Sequence, residues 1–238
     1  MFFSVKNLNH AFGDIVIFKN LNFTWPDEVK NIGILGPNGS GKTTLFKIIS
    51  GEIKPNEGAI FFENENITHL EMYKKNRKGI SKTFQIPRPF LGMTVFENVY
   101  FGTIEYEKNE DNRILYTTKI LKQFNLFDKM HILSDCLNVL ECRLLEMARA
   151  FATQPKLILL DECMVGFEEQ ERNYFLNILS NIQQEQNCRM MMIEHNIDVL
   201  KTFCDYMIVI HHGELVIQGR PMDCLESDIV KKIYFHRL

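Results

Sequence analysis

The chain has 238 residues, 27 basic and 30 acidic side chains, a formal charge of −3 and 45% hydrophobic residues. That length suits one globular domain with room for a smaller lobe, and it excludes a disulfide-stapled mini-protein. The mild acidity supplies no basic face, so no nucleic acid partner is expected.

The six cysteines show no C-x-x-C spacing and no histidine pairing at metal-site intervals, and they read as reduced cytosolic thiols. The opening MFFSVKNLNHAFG lacks the long apolar stretch of a cleavable signal, and no run reaches the length of a spanning helix. A soluble protein is expected, touching a membrane only through partners. Glycine is scarce at 13 residues and unevenly placed. Three sit within six residues (Gly36, Gly39, Gly41), whereas none occurs from Thr103 to Val165.

In chain order, Phe2 to Leu8 and Leu21 to Trp25 read as strands from their aromatic and aliphatic alternation. Ile32 to Leu35 is a short apolar strand running into the glycine cluster, and Ala59 to Phe62 repeats the strand pattern. From Thr43 the sequence TTLFKIIS has helical spacing and stops at Gly51, a suitable C′ residue. After Gln85 a turn-rich bridge leads to helices at Val95 to Phe101, Asn112 to Phe124 and Val139 to Thr153. Strands return at Leu157 to Leu160, Met190 to Ile193, Tyr206 to Ile210 and Glu214 to Gln218. Helices at Glu169 to Gln183 and Ile197 to Phe203 lie between them. Alternating strands and helices indicate an α/β core with a mostly parallel sheet. Residues 1–85 and 151–238 would form that core, and 86–150 an inserted helical lobe.

Gly36-Pro-Asn-Gly-Ser-Gly-Lys-Thr-Thr44 fits G-x-x-x-x-G-K-[ST] between a strand and a helix. Glycines let consecutive backbone N–H groups turn inward around phosphate oxygens, while the helix points its positive end at the same anion. Gly36, Asn38, Gly39, Ser40, Gly41, Lys42, Thr43 and Thr44 are therefore expected to cradle a nucleoside triphosphate. Lys42 would reach the β- and γ-phosphates, and the Thr43 hydroxyl would ligate Mg²⁺.

Leu157-Ile-Leu-Leu-Asp-Glu162 is a buried-type strand ending in two carboxylates. Open α/β sheets place ligands at the C-terminal edges of their strands. Asp161 can face the Mg²⁺ shell and Glu162 the attacking water, since neighbouring strand residues point to opposite faces. His195 follows another apolar strand, where it could donate a hydrogen bond to the γ-phosphate and sense its loss. His211 and His212, between two strands, read as an exposed hairpin.

Together these residues resemble the ATP-binding subunits of ABC transporters over nearly the whole chain. The order matches: phosphate loop, Gln85 in SKTFQIPRPF, helical insertion, LILLDE at 157–162 and IEH at 193–195. The resemblance implies a P-loop NTPase core of ABC type, with an N-terminal antiparallel β subdomain. It implies that Phe12 stacks on adenine, that Gln85 meets Mg²⁺ or its water, and that ATP is hydrolysed. Lys42, Gln85, Glu162 and His195 would serve the reaction, and Thr43, Gln85 and Asp161 the metal. TFQIPRPF, LEMARAFATQPKLILLDE, IEHN and HHGELVIQG look like importer subunits for branched-chain amino acids and related polar solutes. Partners implied are transmembrane permease subunits on the cytoplasmic face and a second ATP-binding subunit, packed head to tail.

One family motif departs. The signature segment, normally like L-S-G-G-Q, reads Leu137-Asn138-Val139-Leu140-Glu141. Side chains at the two glycine positions obstruct close backbone approach to a γ-phosphate, and Glu141 adds a like charge. The proline usual after the catalytic glutamate is Cys163, expected to be an inert small residue, and the acidic residue of the next loop is Glu168. The expectation is an intact nucleotide-holding half and a defective closing half, favouring a heterodimer over a homodimer. The alternative is a regulatory or structural nucleotide-binding subunit with little turnover. A GTPase is disfavoured because no N-K-x-D motif occurs, and a translation or repair ATPase by the single ATP-binding unit.

Overall fold

The computed structural model describes residues 1–235 in two compact units, one formed by residues 1–77 with those from 190 onward, the other by 78–189. In the first unit, β1 (Phe3–Phe12) and β2 (Ile15–Thr24) form a hairpin in which Phe12 faces Ile15 across a two-residue turn. Next come β3 (Asn31–Leu35), α1 (Lys42–Ser50), β4 (Glu57–Phe62), β5 (Glu65–Asn66) and α2 (Met72–Arg77). Strands β2, β1, β4 and β5 make an antiparallel sheet in that order. Aromatic residues fill its buried face: Phe3, Phe23, Trp25 and Phe62 are all almost fully buried. Trp25 meets Phe3 edge-on at 6.4 Å, and its indole N–H donates to the Val29 carbonyl at 2.8 Å, so the large ring is buried without an orphan donor.

The second unit begins with β6 (Ile80–Lys82) and continues through α3 (Val95–Thr103) and α4 (Glu110–Gln123). Two single 3-10 turns lead to α5 (Val139–Ala152), then β7 (Leu157–Asp161) and α6 (Glu169–Gln186). Strands β6 and β7 pair in parallel. Helix α3 starts on a capping box, with the Thr94 hydroxyl accepting from the Glu97 N–H and the Glu97 carboxylate accepting from the Thr94 N–H. On α5, Leu144, Leu145, Met147, Ala148 and Phe151 are buried, the stripe expected of a 3.6-residue period.

The chain re-enters the first unit with β8 (Arg189–Ile193), α7 (Ile197–Phe203), β9 (Tyr206–His211), β10 (Glu214–Gly219), α8 (Pro221–Glu226) and α9 (Asp228–Phe235). Strand β3 pairs in parallel with β8 and with β9, and β10 closes against β9 antiparallel. All five residues of β3 are buried, in keeping with the apolar run read from Ile32 to Leu35.

The mostly parallel α/β architecture and the N-terminal antiparallel sheet match expectation, and the long helices fall within a few residues of their sequence-derived limits. Strand β1 runs four residues past Leu8 and β2 starts six residues before Leu21, where alternation gives way to polar residues and the hairpin turn. The unit that holds helices α3, α4 and α5 spans 78–189 and is thus wider than 86–150, because β6, β7 and α6 cluster with those helices. Strands β5 and β6 and helices α2 and α8 carry too few periodic residues to declare themselves, whereas α9 went unread despite an amphipathic pattern. Four of the six cysteines, Cys163, Cys188, Cys204 and Cys224, are buried and in no disulfide.

Lys75 on α2 is fully buried, and its ammonium donates to the Ile48 carbonyl at 2.9 Å, at the negative end of α1. Burial lowers its pKa from 10.5 to about 8. Above 10.5 the amine is neutral whether folded or unfolded. As the pH falls toward 8, the unfolded chain takes up a proton that the folded chain refuses, and stability is lost. The carbonyl keeps a second donor, the Gly51 N–H at 3.2 Å. Relative to Lys75→Met, the wild-type chain should therefore gain about 3 kcal/mol of unfolding free energy between pH 7 and pH above 10.5. Parallel urea titrations across that range test this, and equal pH profiles would refute it.

Candidate functional site

Strand β3 runs directly into the loop 36–41, whose glycines are required by geometry. A Cβ on Gly36 would lie 2.4 Å from the Ile210 carbonyl and 2.5 Å from the Ser40 hydroxyl. Gly39 and Gly41 have φ of +80° and +99°. A Cβ on Gly39 would meet nothing, so backbone conformation alone selects glycine there, while at Gly41 it would strike the Phe18 ring at 2.7 Å. Helix α1 then starts at Lys42 and is driven inward by Leu45, Phe46, Ile48 and Ile49, ending on Gly51 at φ +87°. Lys42 is buried, and its ammonium donates to the carbonyls of Gly36 at 2.6 Å and Pro37 at 3.0 Å. Inturned backbone, a helix N-terminus and a lysine at the loop's mouth suit a polyphosphate.

His195 lies two residues past β8 and lines one cavity with Gly36, Pro37, Asn38, Gly39 and Ser40. It is exposed, and the next residue, Asn196, caps α7 by accepting from the N–H groups of Asp198 and Val199. Phe12 closes β1 and stands half exposed beside Ile15 and Val16. Further along β2, Ile17 and Phe18 abut Gly41, which ties this apolar hairpin tip to the phosphate loop.

The second unit holds the acidic pair. Asp161 ends β7 and is buried, its N–H donating to the Thr83 hydroxyl at 3.3 Å. Glu162 has already left the strand, with φ of +48°. The separation of the two carboxylates thus comes from a left-handed turn and not from strand alternation, a costly conformation for a non-glycine residue. Gln85 donates to the Glu162 carboxylate at 2.9 Å.

What positions Gln85 went unread in the sequence. Arg143 and Glu146, one turn apart on α5, are 4% and 7% exposed and paired at 3.1 Å. Arg143 donates to the carbonyls of Phe84, at 2.6 Å, and Gln85, and Glu146 accepts from the Phe84 N–H at 2.8 Å. Burial pushes the Glu146 carboxyl up, against the Phe84 N–H and the Arg143 charge. Two charges on the buried stripe of an amphipathic helix were the available signal.

The segment 137–141 is also ordered by its own chemistry. Asn138 caps α5, its side chain accepting from the Glu141 N–H at 2.9 Å, while Glu141 accepts from the Asn138 N–H at 3.1 Å. Lys129 pairs with the same carboxylate. Partial burial works against ionising Glu141, but the hydrogen bonds from Lys129 and Asn138 and the Lys129 charge hold its pKa below the usual range. Its charge is thus partly compensated by Lys129. Val139 and Leu140 occupy the first helical positions, with Val139 68% exposed. Cys163 is fully buried, in keeping with an inert residue, and the Glu168 N–H donates to Glu171 at the start of α6 at 2.9 Å.

A glycine-bounded phosphate cradle between a buried parallel strand and a helix defines a P-loop nucleotide-binding protein. The chain belongs to the ABC transporter family, whose model matches residues 18–165. It is 28% identical to the high-affinity branched-chain amino acid transport ATP-binding protein BraF of Pseudomonas aeruginosa, over 97% of this chain and 96% of BraF. It is 31% identical to a probable branched-chain amino acid transport ATP-binding protein, LivG, of Methanocaldococcus jannaschii, over 79% of this chain and 77% of that one. Among solved structures, the ADP conformation of MJ1267, an ATP-binding cassette of an ABC transporter, superposes with a TM-score of 0.87. It is 27% identical, covering 99% of this chain and 98% of MJ1267.

Removing one member of a buried ion pair leaves the other charge without its partner. Arg143→Ala should therefore lower the unfolding free energy by about 3–5 kcal/mol. Arg143→Met combined with Glu146→Leu should recover most of that loss. Denaturant midpoints of the three proteins measure both, and an Arg143→Ala protein as stable as wild type would contradict the clamp.

Proposed function

We propose that this chain is an ATP-hydrolysing subunit powering a membrane importer of branched-chain amino acids or similar polar solutes, and that it works in an asymmetric pair with a second ATP-binding subunit. The phosphate loop holds the triphosphate, Phe12 stacks on adenine, and Thr43, Gln85 and Asp161 serve Mg²⁺. The donor set fits that ion, since a hydroxyl, an amide and one carboxylate leave room for phosphate oxygens and water. Bound Mg²⁺ would neutralise charge on the phosphates. Glu162 orients and polarises the attacking water, Lys42 takes up developing charge on the phosphates, and His195 reports on the γ-phosphate.

One observation carries the asymmetry: the segment in the signature position is consumed by its own helix. The N–H groups of Asn138 and Glu141 already have acceptors within the capping box, and the glycine positions carry Val139 and Leu140. A γ-phosphate presented by a partner would have to displace those bonds and approach past two side chains. This chain's own ATP would instead be closed over by the partner's signature segment and hydrolysed. The similarity to BraF and LivG supports the solute class.

The decisive measurement is ATP turnover by the chain alone and with its partner ATPase subunit, each repeated with Glu162→Gln. Turnover should be low alone and at least about tenfold higher in the pair, and Glu162→Gln should abolish it while ATP still binds. Vigorous turnover by the isolated chain would overturn the asymmetry, and none with any partner would indicate a regulatory nucleotide-binding subunit. The combined change Asn138→Ser, Val139→Gly, Leu140→Gly and Glu141→Gln should raise turnover of the chain alone. Unchanged turnover would show that the limit lies elsewhere.

A further inference from the structure

His10 lies in β1, two residues before Phe12, and is 6% exposed. Among the described residues neither of its ring nitrogens has a hydrogen-bond partner. Buried polar groups are ordinarily satisfied, and an apolar side chain at this position would escape the cost of two unpaired nitrogens. What the fold takes from this histidine is therefore its ring. Burial lowers its pKa, so the ring packs as a neutral imidazole.

That ring stands perpendicular to Phe12, with the centroids 4.7 Å apart and the planes at 87°. In such a pair the positive edge of one ring meets the negative face of the other, an attraction beyond simple burial. Phe12 needs the anchor. It closes β1 at half exposure, Gly13 follows with φ +57°, and its cross-strand neighbour Ile15 is 68% exposed. His10 is seated deeper. It pairs across the hairpin with Phe18, which is 1% exposed, and Phe18 is the ring that closes on Gly41 at the end of the phosphate loop.

We propose that His10 is the positioning residue for the nucleobase: its buried imidazole fixes the Phe12 ring edge-on and leaves a Phe12 face open to the base. The proposal rests on the reading of Phe12 as the ring that stacks on adenine. A ring already anchored binds at a smaller ordering cost than one that the ligand must first immobilise. Stacking acts on the π-face of the base, so the contribution of His10 follows the base and not the phosphates.

The test titrates ADP and inorganic pyrophosphate, each with Mg²⁺, into the full chain calorimetrically. The ratio of the two affinities isolates what the nucleoside contributes. The proteins are wild type, Phe12→Ala, His10→Leu, which fills the site without a ring, and His10→Phe, which restores one. In His10→Leu the ADP affinity should fall about two- to tenfold while pyrophosphate affinity holds. His10→Phe should recover most of that loss. The denaturant midpoint of His10→Leu should match or exceed that of wild type, because the unpaired nitrogens are gone, and this separates positioning from folding. An unchanged affinity ratio in His10→Leu beside a lowered one in Phe12→Ala would overturn the proposal. So would an equal fall in both affinities, the mark of a merely structural residue. An unchanged ratio in Phe12→Ala would instead sink the stacking reading of Phe12, and the role of His10 with it.

Discussion

Parallel pairing of β3 with β8 on one side and β9 on the other is the constraint from which the nucleotide end of the first unit follows. The register sets Ile34 beside Ile193 and Leu35 beside Val209, so β3 and β8 end within a residue of each other and β9 runs two residues further. Gly36 follows β3, His195 lies two residues past β8 and His211 is the last residue of β9, and all three stand at the same sheet edge. Sheet hydrogen bonding and burial of the apolar β3 hold these positions without help from a ligand. The glycines then let the loop turn tightly between the Ile210 carbonyl and the Phe18 ring.

In the second unit a different force dominates. The loop carrying Gln85 is fixed by charged groups reaching out of a helix that is otherwise apolar on its buried side. Arg143 and Glu146 take up the backbone of Phe84 and Gln85 at three points, and Gln85 in turn reaches Glu162. The helix that begins at the signature position thus also holds the glutamine loop. Displacement of α5 would reach Glu162 through the backbone of Phe84 and Gln85 and then through the exposed Gln85 side chain.

The parts legible in the sequence were those whose causes are local. The strand–loop–helix at 31–51 announces itself because an apolar run, three glycines and a helical stripe are adjacent. Helices α3 and α5 start where Thr94 and Asn138 can cap them. The same Asn138–Glu141 pair was read as damage to a family motif, although its spacing is that of a capping box. Comparison with the motif drew attention to missing glycines and away from what the replacements do. Lys129 as partner of Glu141 was out of reach, since they stand twelve positions apart with the 3-10 turn at Ser134–Cys136 between them. So were the α9 residues beside the phosphate loop, which nothing in local spacing could bring there. The positive φ of Glu162 is equally silent in sequence, because only the end of β7 and the buried run after it impose the turn.

The buried cysteines give the molecule a set of internal clocks. Cys204 and Cys224 lie in the first unit and Cys163 and Cys188 in the second. Burial raises the Cys188 thiol to about 12, the Cys224 thiol to about 11 and Cys204 higher still, so the reactive thiolate is suppressed wherever the fold is closed. Cys136, by contrast, is exposed. The rate at which each buried thiol is alkylated is therefore a measure of local opening, unit by unit. Nucleotide added during such labelling would slow only the thiols whose unit it braces, which turns four buried sulfur atoms into a map of where binding energy goes.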